Sequence, residues 1–169
     1  MKKLMIALTA VLSLSALSTQ AQTKVGHINV EELIMIMPET KAAQTELEAF
    51  QAELEGELAA MEQELEAKVA NFQANQAVMT DLTKETKYRE IQDLDQRIQQ
   101  FRQRAQQELG QKEVDLLTPV IEKAQNAINA VAEQGGYNYI LDSSQSKGIV
   151  IYDATGNDVM DAVKVQLGL

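Results

Sequence analysis

The chain has 169 residues, a net charge of −10, a single histidine and no cysteine. Without cysteine it can form no disulfide and no thiolate metal site, and one histidine argues against a zinc centre. The acidic balance disfavours nucleic acid and anionic membrane surfaces as main partners, because both carry negative charge. No phosphate-binding or dinucleotide-binding glycine motif is present, so neither a cofactor nor ATP use is predicted. We interpret His27 as a structural residue and predict that the protein is not an enzyme.

Residues 1–21 are typical of a cleavable secretory signal. Lys2 and Lys3 precede an apolar run over 4–17, and the small residues of 18–21 suit cleavage after Ala21. The alternative is an uncleaved membrane anchor, but the run falls short of the roughly 20 residues that span a bilayer. We therefore predict export to the periplasm and a mature chain with 13 basic and 25 acidic residues, since only two lysines are removed.

Residues 22–38 are predicted to form the first part of a small β-body. The segment 24–30 is typical of a short strand, and the apolar residues within 33–37 fit one or two helical turns. Pro38 ends this helix, because the residue before a proline avoids the α region. A proline at this place also suits the first turn of a following helix.

Residues 39–134 predict a long helical arm. In its first half apolar residues follow steps of 3, 4, 4, 3, 4, 4 and 3: Leu47, Phe50, Leu54, Leu58, Met61, Leu65, Val69 and Phe72. This eleven-residue repeat keeps a narrow apolar stripe on one face of a nearly straight helix, which suits packing against one other helix. The second half has a matching stripe with steps of 3 and 4: Ile91, Leu94, Ile98, Phe101 and Ala105, then Leu117, Ile121, Ala124, Ile128 and Val131.

The two stripes predict an antiparallel hairpin with its tip near 74–82. The stripe lapses there, and Thr80 or Asp81 can cap a new helix by accepting a backbone hydrogen bond. At 1.5 Å per residue, each helix would be roughly 60 Å long or more. One continuous helix in a parallel coiled-coil rod is the alternative. Pro119 predicts a kink or break near 117–118, and Gly135 and Gly136 predict the end of the arm.

Residues 135–169 are predicted to form the second part of the body. The segments 137–142 and 149–152 are typical of strands, and 158–167 has the apolar spacing of a helix. Segment 149–152 is apolar on both faces, which predicts burial on both sides. Because a few short strands are marginal alone, we predict that several chains pool them in one oligomeric body. The residues expected in that body are Ile28, Val30, Ile140, Ile149 and Ile151.

Together these segments resemble the Skp/OmpH family of periplasmic chaperones. The resemblance covers the mature chain, with 24–29 (KVGHIN), the charged hairpin, 119–124 (PVIEKA) and 136–142 (GYNYILD). It implies an α+β, mostly helical fold, in which a long antiparallel coiled-coil hairpin projects from a small β-body completed by trimerisation. It also implies a holdase that works without nucleotide and binds unfolded outer-membrane proteins in a cavity between the arms.

In charge the chain departs from the familiar members of that family, which are basic. Residues 39–79 alone have 9 acidic and 2 basic side chains. Apolar contacts from the arm and its tip are therefore expected to hold the client, with Phe72, Val78, Met79 and Leu82 as the candidate residues. The alternative function is a structural envelope scaffold that engages one fixed partner. Such an arm should have a second continuous apolar stripe, whereas only scattered apolar residues lie outside the seam, which favours the holdase.

Overall fold

The computed structural model describes residues 23–152 and 157–169, so the predicted signal segment lies outside the described residues. The elements, in chain order, are β1 (Val25–Ile28), α1 (Val30–Ile36), α2 (Pro38–Asn75), α3 (Asp81–Gly135), β2 (Tyr139–Asp142) and α4 (Met160–Leu167). The predicted α+β, mostly helical fold with a long hairpin and a small β-body is confirmed. Two long helices form an antiparallel hairpin, and the short elements around its open end form a small body.

Local sequence determines where the arm helices begin and end. Pro38 occupies the first turn of α2, where its missing N–H is not needed. The Thr80 hydroxyl accepts a hydrogen bond from the amide of Thr83 at 3.3 Å and caps α3. Gly136 closes α3 in the left-handed conformation, with φ of 64°. The turn between the helices rules out the alternative of one continuous helix.

The predicted stripes form the seam between α2 and α3. Leu94 and Ile98 of α3 are only 2% exposed, and Ala43 of α2 is buried near the base of the arm. The remaining stripe residues of α2 are half-buried, from Leu47 to Phe72. A pair of helices covers each seam residue on one side only, so the middle of the arm has a thin apolar core with open flanks.

Pro119 lies inside α3, which continues through it, so of the predicted kink or break the break is wrong. Such a proline removes one backbone hydrogen bond from the helix. Packing on both sides of it offsets this loss. Leu116 and Leu117 lie beside Leu47 of α2, and Val120 is buried in the core of the body.

The basal third of α3 provides much of the core of the body, together with α1, α4 and the end of β1. The buried cluster consists of Ile28, Leu33, Met37, Val120, Ala124, Ala127, Ile128, Val131, Val159, Met160 and Val163. Ile121, which the sequence pattern placed in the seam, is instead 51% exposed. Val120, one residue earlier, is buried in its place, whereas the next predicted stripe residues, Ala124, Ile128 and Val131, are buried as expected.

The sheet is parallel, and β1 is its centre. Strand β2 pairs with one edge of β1, in a register that places Val25 opposite Tyr139. On the other edge the amide of His27 donates to the carbonyl of Asn157 at 3.0 Å, and the amide of Val159 donates to the carbonyl of His27 at 3.0 Å. His27 is therefore a structural strand residue, with both of its backbone groups bonded to the segment after 156.

Segment 149–152 is not a strand within the single chain, and the predicted burial of both its faces is wrong for this chain alone. Ile149 is 57% exposed, Ile151 95% and Tyr152 84%. The reason is that both edges of β1 are already used, one by β2 and the other by residues 157–159. The segment finds no place on the central strand and remains on the surface.

Candidate binding surfaces of the arm and body

Ion pairs connect the two arm helices at intervals along their length. In the described residues these pairs are Glu39 with Lys123, Glu46 with Lys112, Glu62 with Arg102, and Lys68 with Glu90. In three of the four the cation is on α3 and the carboxylate on α2. The cations of α3 therefore partly neutralise the acidic α2, which reduces the repulsion among the many carboxylates of that helix.

Two of these carboxylates, those of Glu39 and Glu90, have a lowered pKa. The hydrogen bond from Lys123 lowers the pKa of Glu39 below its ordinary value. The hydrogen bond from Lys87, with the nearby charges of Lys87 and Lys68, does the same for the pKa of Glu90. Because the pKa of each carboxyl is lower in the folded state, these contacts stabilise the arm at pH values above the ordinary carboxyl pKa. The stabilisation is lost as the pH falls through the lowered pKa.

The tip of the arm exposes apolar side chains. Val78 is 85% exposed in the turn, and Leu82 is 74% exposed in the first turn of α3. Isolated exposed apolar residues are normal on a protein surface, but these two lie only four positions apart at the end of a long projection. Among the four client-contact residues predicted from the sequence, Val78 and Leu82 are the most exposed.

The other two predicted tip residues are placed differently. Phe72 and Met79 are both half-buried. Phe72 continues the seam stripe of α2 and so contributes to holding the helices together. The structure thus brings Val78 and Leu82 to the surface as a pair, and leaves Phe72 mainly in the arm's own packing.

The body residues named from the sequence also divide into two groups. Ile28 is buried in the core of the chain, and Val30 and Ile140 pack against that core. Ile149 and Ile151 are exposed, next to the exposed Tyr152. Of the five named residues, Ile149 and Ile151 therefore have the most free surface for contact with another molecule.

Some exposed apolar residues of the body were not singled out by sequence reasoning. Met35 is 78% exposed on α1, Tyr139 63% on β2 and Val165 79% on α4. The buried residues Leu33 and Val163 lie only two positions before Met35 and Val165, and β2 contains no fully buried residue, so a pattern over so few residues could not separate inward from outward positions. The alternation in β2, where the even positions are the more buried, was the one available signal.

A buried hydrogen-bond network joins the end of β2 to the start of α1. The carboxylate of Asp142 accepts from the Ser144 hydroxyl at 2.5 Å, the Ser144 amide at 2.9 Å and the Val30 amide at 3.4 Å. The Ser144 hydroxyl oxygen, fully buried, also accepts from the amide of Glu31 at 3.1 Å. Burial alone would raise the pKa of Asp142, but the hydrogen bonds from Ser144 and Val30 outweigh it and lower that pKa.

We expect Asp142→Ala to lower the free energy of unfolding by about 1–3 kcal/mol at pH 7, because it leaves buried donors unsatisfied. Because the pKa of Asp142 is lower in the folded state than its ordinary value of 3.8, the ionised side chain stabilises the folded protein at pH values above 3.8. This stabilisation is lost as the pH falls through the lowered pKa. The difference in free energy of unfolding between wild type and variant, measured by urea unfolding, should therefore become smaller as the pH falls through the lowered pKa of Asp142.

The matched control is Asp161→Ala, because the side chain of Asp161 is fully exposed on α4. Its effect should stay within about 0.5 kcal/mol. An Asp142→Ala variant as stable as this control at pH 7 would contradict the proposed role of the network.

Within the described ranges, no group of three or more histidine, cysteine, aspartate or glutamate side chains is arranged to hold a metal ion. Among the same residues, none of the helices combines the length and apolar character needed to cross a bilayer. The exposed apolar surfaces described so far include the tip of the arm and segment 149–152, and the seam between the helices has open flanks.

Comparison with known proteins identifies related chains over almost this whole length. Two proteins named "Chaperone protein Skp", from Photorhabdus laumondii and Photorhabdus luminescens, are each 24% identical to it over 168 residues, which is 99% of both chains. A crystal structure of an OmpH-like protein from Caulobacter crescentus has the same fold. The two structures superimpose with a TM-score of 0.76 at 19% sequence identity. The superposition covers 86% of this chain and 83% of the Caulobacter crescentus chain.

The family comparison agrees with these pairwise matches. The sequence profile of the family described as "Outer membrane protein (OmpH-like)" matches residues 24–167, which includes β1, both arm helices, β2 and α4. This match extends over far more than half of the chain and joins the two parts of the body that the arm separates in the sequence. The chain therefore belongs to the OmpH-like family.

Proposed function

We propose that this protein is a periplasmic holdase that binds unfolded outer-membrane proteins and prevents their aggregation without ATP. The proposal is supported above all by an arm about 60–80 Å long that has exposed apolar residues at its free end and is anchored at its other end only. Membership of the OmpH-like family and similarity to two Skp chaperones support the client class. The absence of any nucleotide-binding motif in the sequence is consistent with action without ATP.

The arm suits a client that has no fixed shape. Its outer faces are charged and hydrated, and apolar residues occur singly or in small groups, as at Val78 and Leu82. Each such contact contributes little, so an unfolded chain is held by the sum of many weak contacts and can still leave. A single deep apolar site would bind more strongly but would slow release.

Assembly of several copies completes this proposal. The exposed segment 149–152 and the open outer edge of β2 are surfaces that a second copy can cover. We propose a trimer, in which three bodies join through these surfaces and three arms enclose a cavity. Cleavage after Ala21 would release the mature chain in the periplasm, where the absence of cysteine makes it insensitive to oxidation.

The direct test is client protection by the mature chain 22–169. A urea-unfolded outer-membrane β-barrel protein is diluted into buffer without ATP, and its aggregation is followed by light scattering. We expect suppression at a near-stoichiometric ratio of oligomer to client. If the chain is folded but no ratio suppresses aggregation, the holdase proposal fails and the scaffold with one fixed partner becomes the better explanation.

The tip should contribute measurably to this activity. We expect the double variant Val78→Ser, Leu82→Ser to weaken affinity for the unfolded client about three- to tenfold, because it removes about 0.7–1.4 kcal/mol of apolar burial. Fluorescence anisotropy of a labelled client would measure this change.

The control for the tip is Gln76→Ser, Thr83→Ser, which changes exposed polar residues of the same turn. It should leave the affinity unchanged within about twofold, since little apolar area is lost. Equal affinities for both double variants, with protection by the wild type intact, would mean that the tip does not contact the client.

A further inference from the structure

The middle of the arm has a large excess of negative charge. Helix α2 has seven glutamates and no basic residue over 46–64, and the opposing part of α3, 97–115, has three acidic and four basic residues. Two of these four cations, Lys112 and Arg102, already pair with glutamates of α2. Four basic residues thus face ten acidic ones, and this part of the arm keeps a net charge of −6.

The seam is open on both flanks at this level, around the short side chain of Ala105. On one flank a groove of about 460 Å³ is lined by Leu54 and Leu58. Its rim includes Glu55, which accepts a hydrogen bond from Gln51 at 2.7 Å but has no ion-pair partner among the described residues. A second groove, of about 380 Å³, lies on the other flank and shares Leu54 and Ala105 with the first.

We call the second groove the acidic groove, because carboxylates surround an apolar floor. Its floor consists of half-buried side chains and its rim of exposed charged ones: Phe50, Leu54, Phe101 and Ala105 on the floor, and Glu53, Glu57, Arg104 and Glu108 on the rim. Within the part of the chain that the structure describes, none of the four rim groups makes an ion pair. Arg104 can neutralise only one of the three carboxylates, so the rim keeps a net negative charge.

A cation of the chain itself lies beside one floor residue of the acidic groove. The Nζ atom of Lys112 is 6.0 Å from the centroid of the Phe50 ring and donates a hydrogen bond to Glu46 at 2.6 Å. An ammonium group is attracted both by the face of an aromatic ring and by a carboxylate. The acidic groove offers the same combination of aromatic rings and carboxylates, and its carboxylates have no lysine bound.

We propose that the acidic groove binds the basic side chains of an extended segment of an unfolded polypeptide. Lysine and arginine combine an apolar stem, which can lie on Phe50, Leu54 and Phe101, with a cationic head that can reach the rim. Glu53 and Glu57 are one turn apart, about 6 Å along the helix, and side chains on the same face of an extended segment are about 7 Å apart. Segments with a basic residue at every second position therefore fit best.

The charge of the rim selects this occupant over other polypeptide segments. An acidic segment would be repelled by the net negative charge. An uncharged segment would cover part of the hydration of the carboxylates and supply no cation in return, which is unfavourable. This inference rests on the proposed holdase function and names the class of client segment that the middle of the arm prefers.

Two variants with the same change of charge separate the acidic groove from the overall charge of the arm. The groove variant, Glu53→Gln, Glu57→Gln, removes two carboxylates from the rim. The control, Glu48→Gln, Glu66→Gln, removes two carboxylates of the same helix that line neither groove. All four side chains are exposed on α2, so circular dichroism and thermal melting should be alike for both proteins.

Each full-length mature protein is titrated at low ionic strength with a short dye-labelled peptide in which lysine alternates with apolar residues. The comparison peptide has glutamine in place of every lysine. We expect wild type to bind the lysine peptide at least about tenfold more tightly than the glutamine peptide. The groove variant should bind the lysine peptide about three- to tenfold more weakly than wild type, because two partly exposed ion pairs are lost, and the control should change less than about twofold. The affinity for the glutamine peptide should not fall in either variant.

Protection of a urea-unfolded β-barrel protein, measured in parallel, separates this inference from the holdase itself. If wild type protects the barrel protein but both double variants lose the same affinity for the lysine peptide, net charge explains the attraction, and the acidic groove is overturned while the holdase stands. A wild type that binds both peptides equally would also overturn the groove. If only the groove variant loses affinity for the lysine peptide but wild type does not protect the barrel protein, the groove stands and the holdase proposal fails.

Discussion

Replacing Val163 with aspartate should destabilise the body by about 3–5 kcal/mol, because an unpaired carboxylate would be buried without compensation. Val163 is 0% exposed and lies in the central cluster, together with Leu33 of α1 and Ile128 of α3. Since small proteins are stable by only about 5–15 kcal/mol, this loss is a large share of the total. The melting temperature, followed by circular dichroism, should fall by about 10 °C or more.

The same helix provides the control for this prediction. Val165 is two residues further along α4 and is 79% exposed, so Val165→Asp should change the free energy of unfolding of an isolated chain by less than about 0.5 kcal/mol. Val163→Ala should lie between the two, since it creates a small cavity without burying a charge. A Val163→Asp protein that melts at the wild-type temperature would show that α4 is not anchored in the core as described.

The importance of this core follows from the way the chain is arranged. The arm separates β1 and α1 from β2 and α4 by about a hundred residues of sequence, and the base of α3 packs against all of them. The body therefore fixes both ends of the hairpin. A loosened core would free the arms from their common base, so we expect loss of client protection to accompany loss of stability.

The arm was predictable from the sequence because its signals are local and repeated. An apolar residue every three or four positions needs no knowledge of distant segments, and the eleven-residue repeat predicted a seam that the structure has. The cap at Thr80 and the closing glycine Gly136 act within a few residues of themselves. In each case the sequence contains the whole physical cause of the structure.

The body was less predictable because its pairing partners are distant in the sequence. Segment 149–152 has the composition of a strand, but the edge of β1 that it would need is taken by residues 157–159. Pro119 has the local signature of a helix break, and packing of Val120 and the neighbouring leucines overrides it. Tertiary contacts decided both outcomes, and no local propensity records them.

The candidate sites show the same division. Exposure of Val78 and Leu82 was foreseeable, because a tight turn between two helices leaves little to cover them. The groove lined by Leu54, Leu58 and Ala105 was not, since it depends on where Ala105 meets the leucines of α2 across the seam.

Replacing Ile151 with aspartate should dissociate the proposed oligomer into single chains. Ile151 is 95% exposed in the isolated chain, so the change costs almost nothing there. In a pooled body each copy would lose the burial of an isoleucine, worth about 1.5–3 kcal/mol, and would also have to desolvate a carboxylate. The dissociation constant should therefore rise at least about a hundredfold.

Sedimentation of wild type and variant at equal concentration would measure this shift. The control is Gln145→Asp, which adds the same charge at an exposed polar position of the same loop region and should leave the oligomer intact. A cavity enclosed by several arms cannot form from one chain, so a dissociated Ile151→Asp protein should also fail to suppress aggregation. An Ile151→Asp protein that sediments like wild type would contradict the role of segment 149–152 in assembly. If it dissociates but still protects its client, a single arm is sufficient for binding and the enclosed cavity is not required.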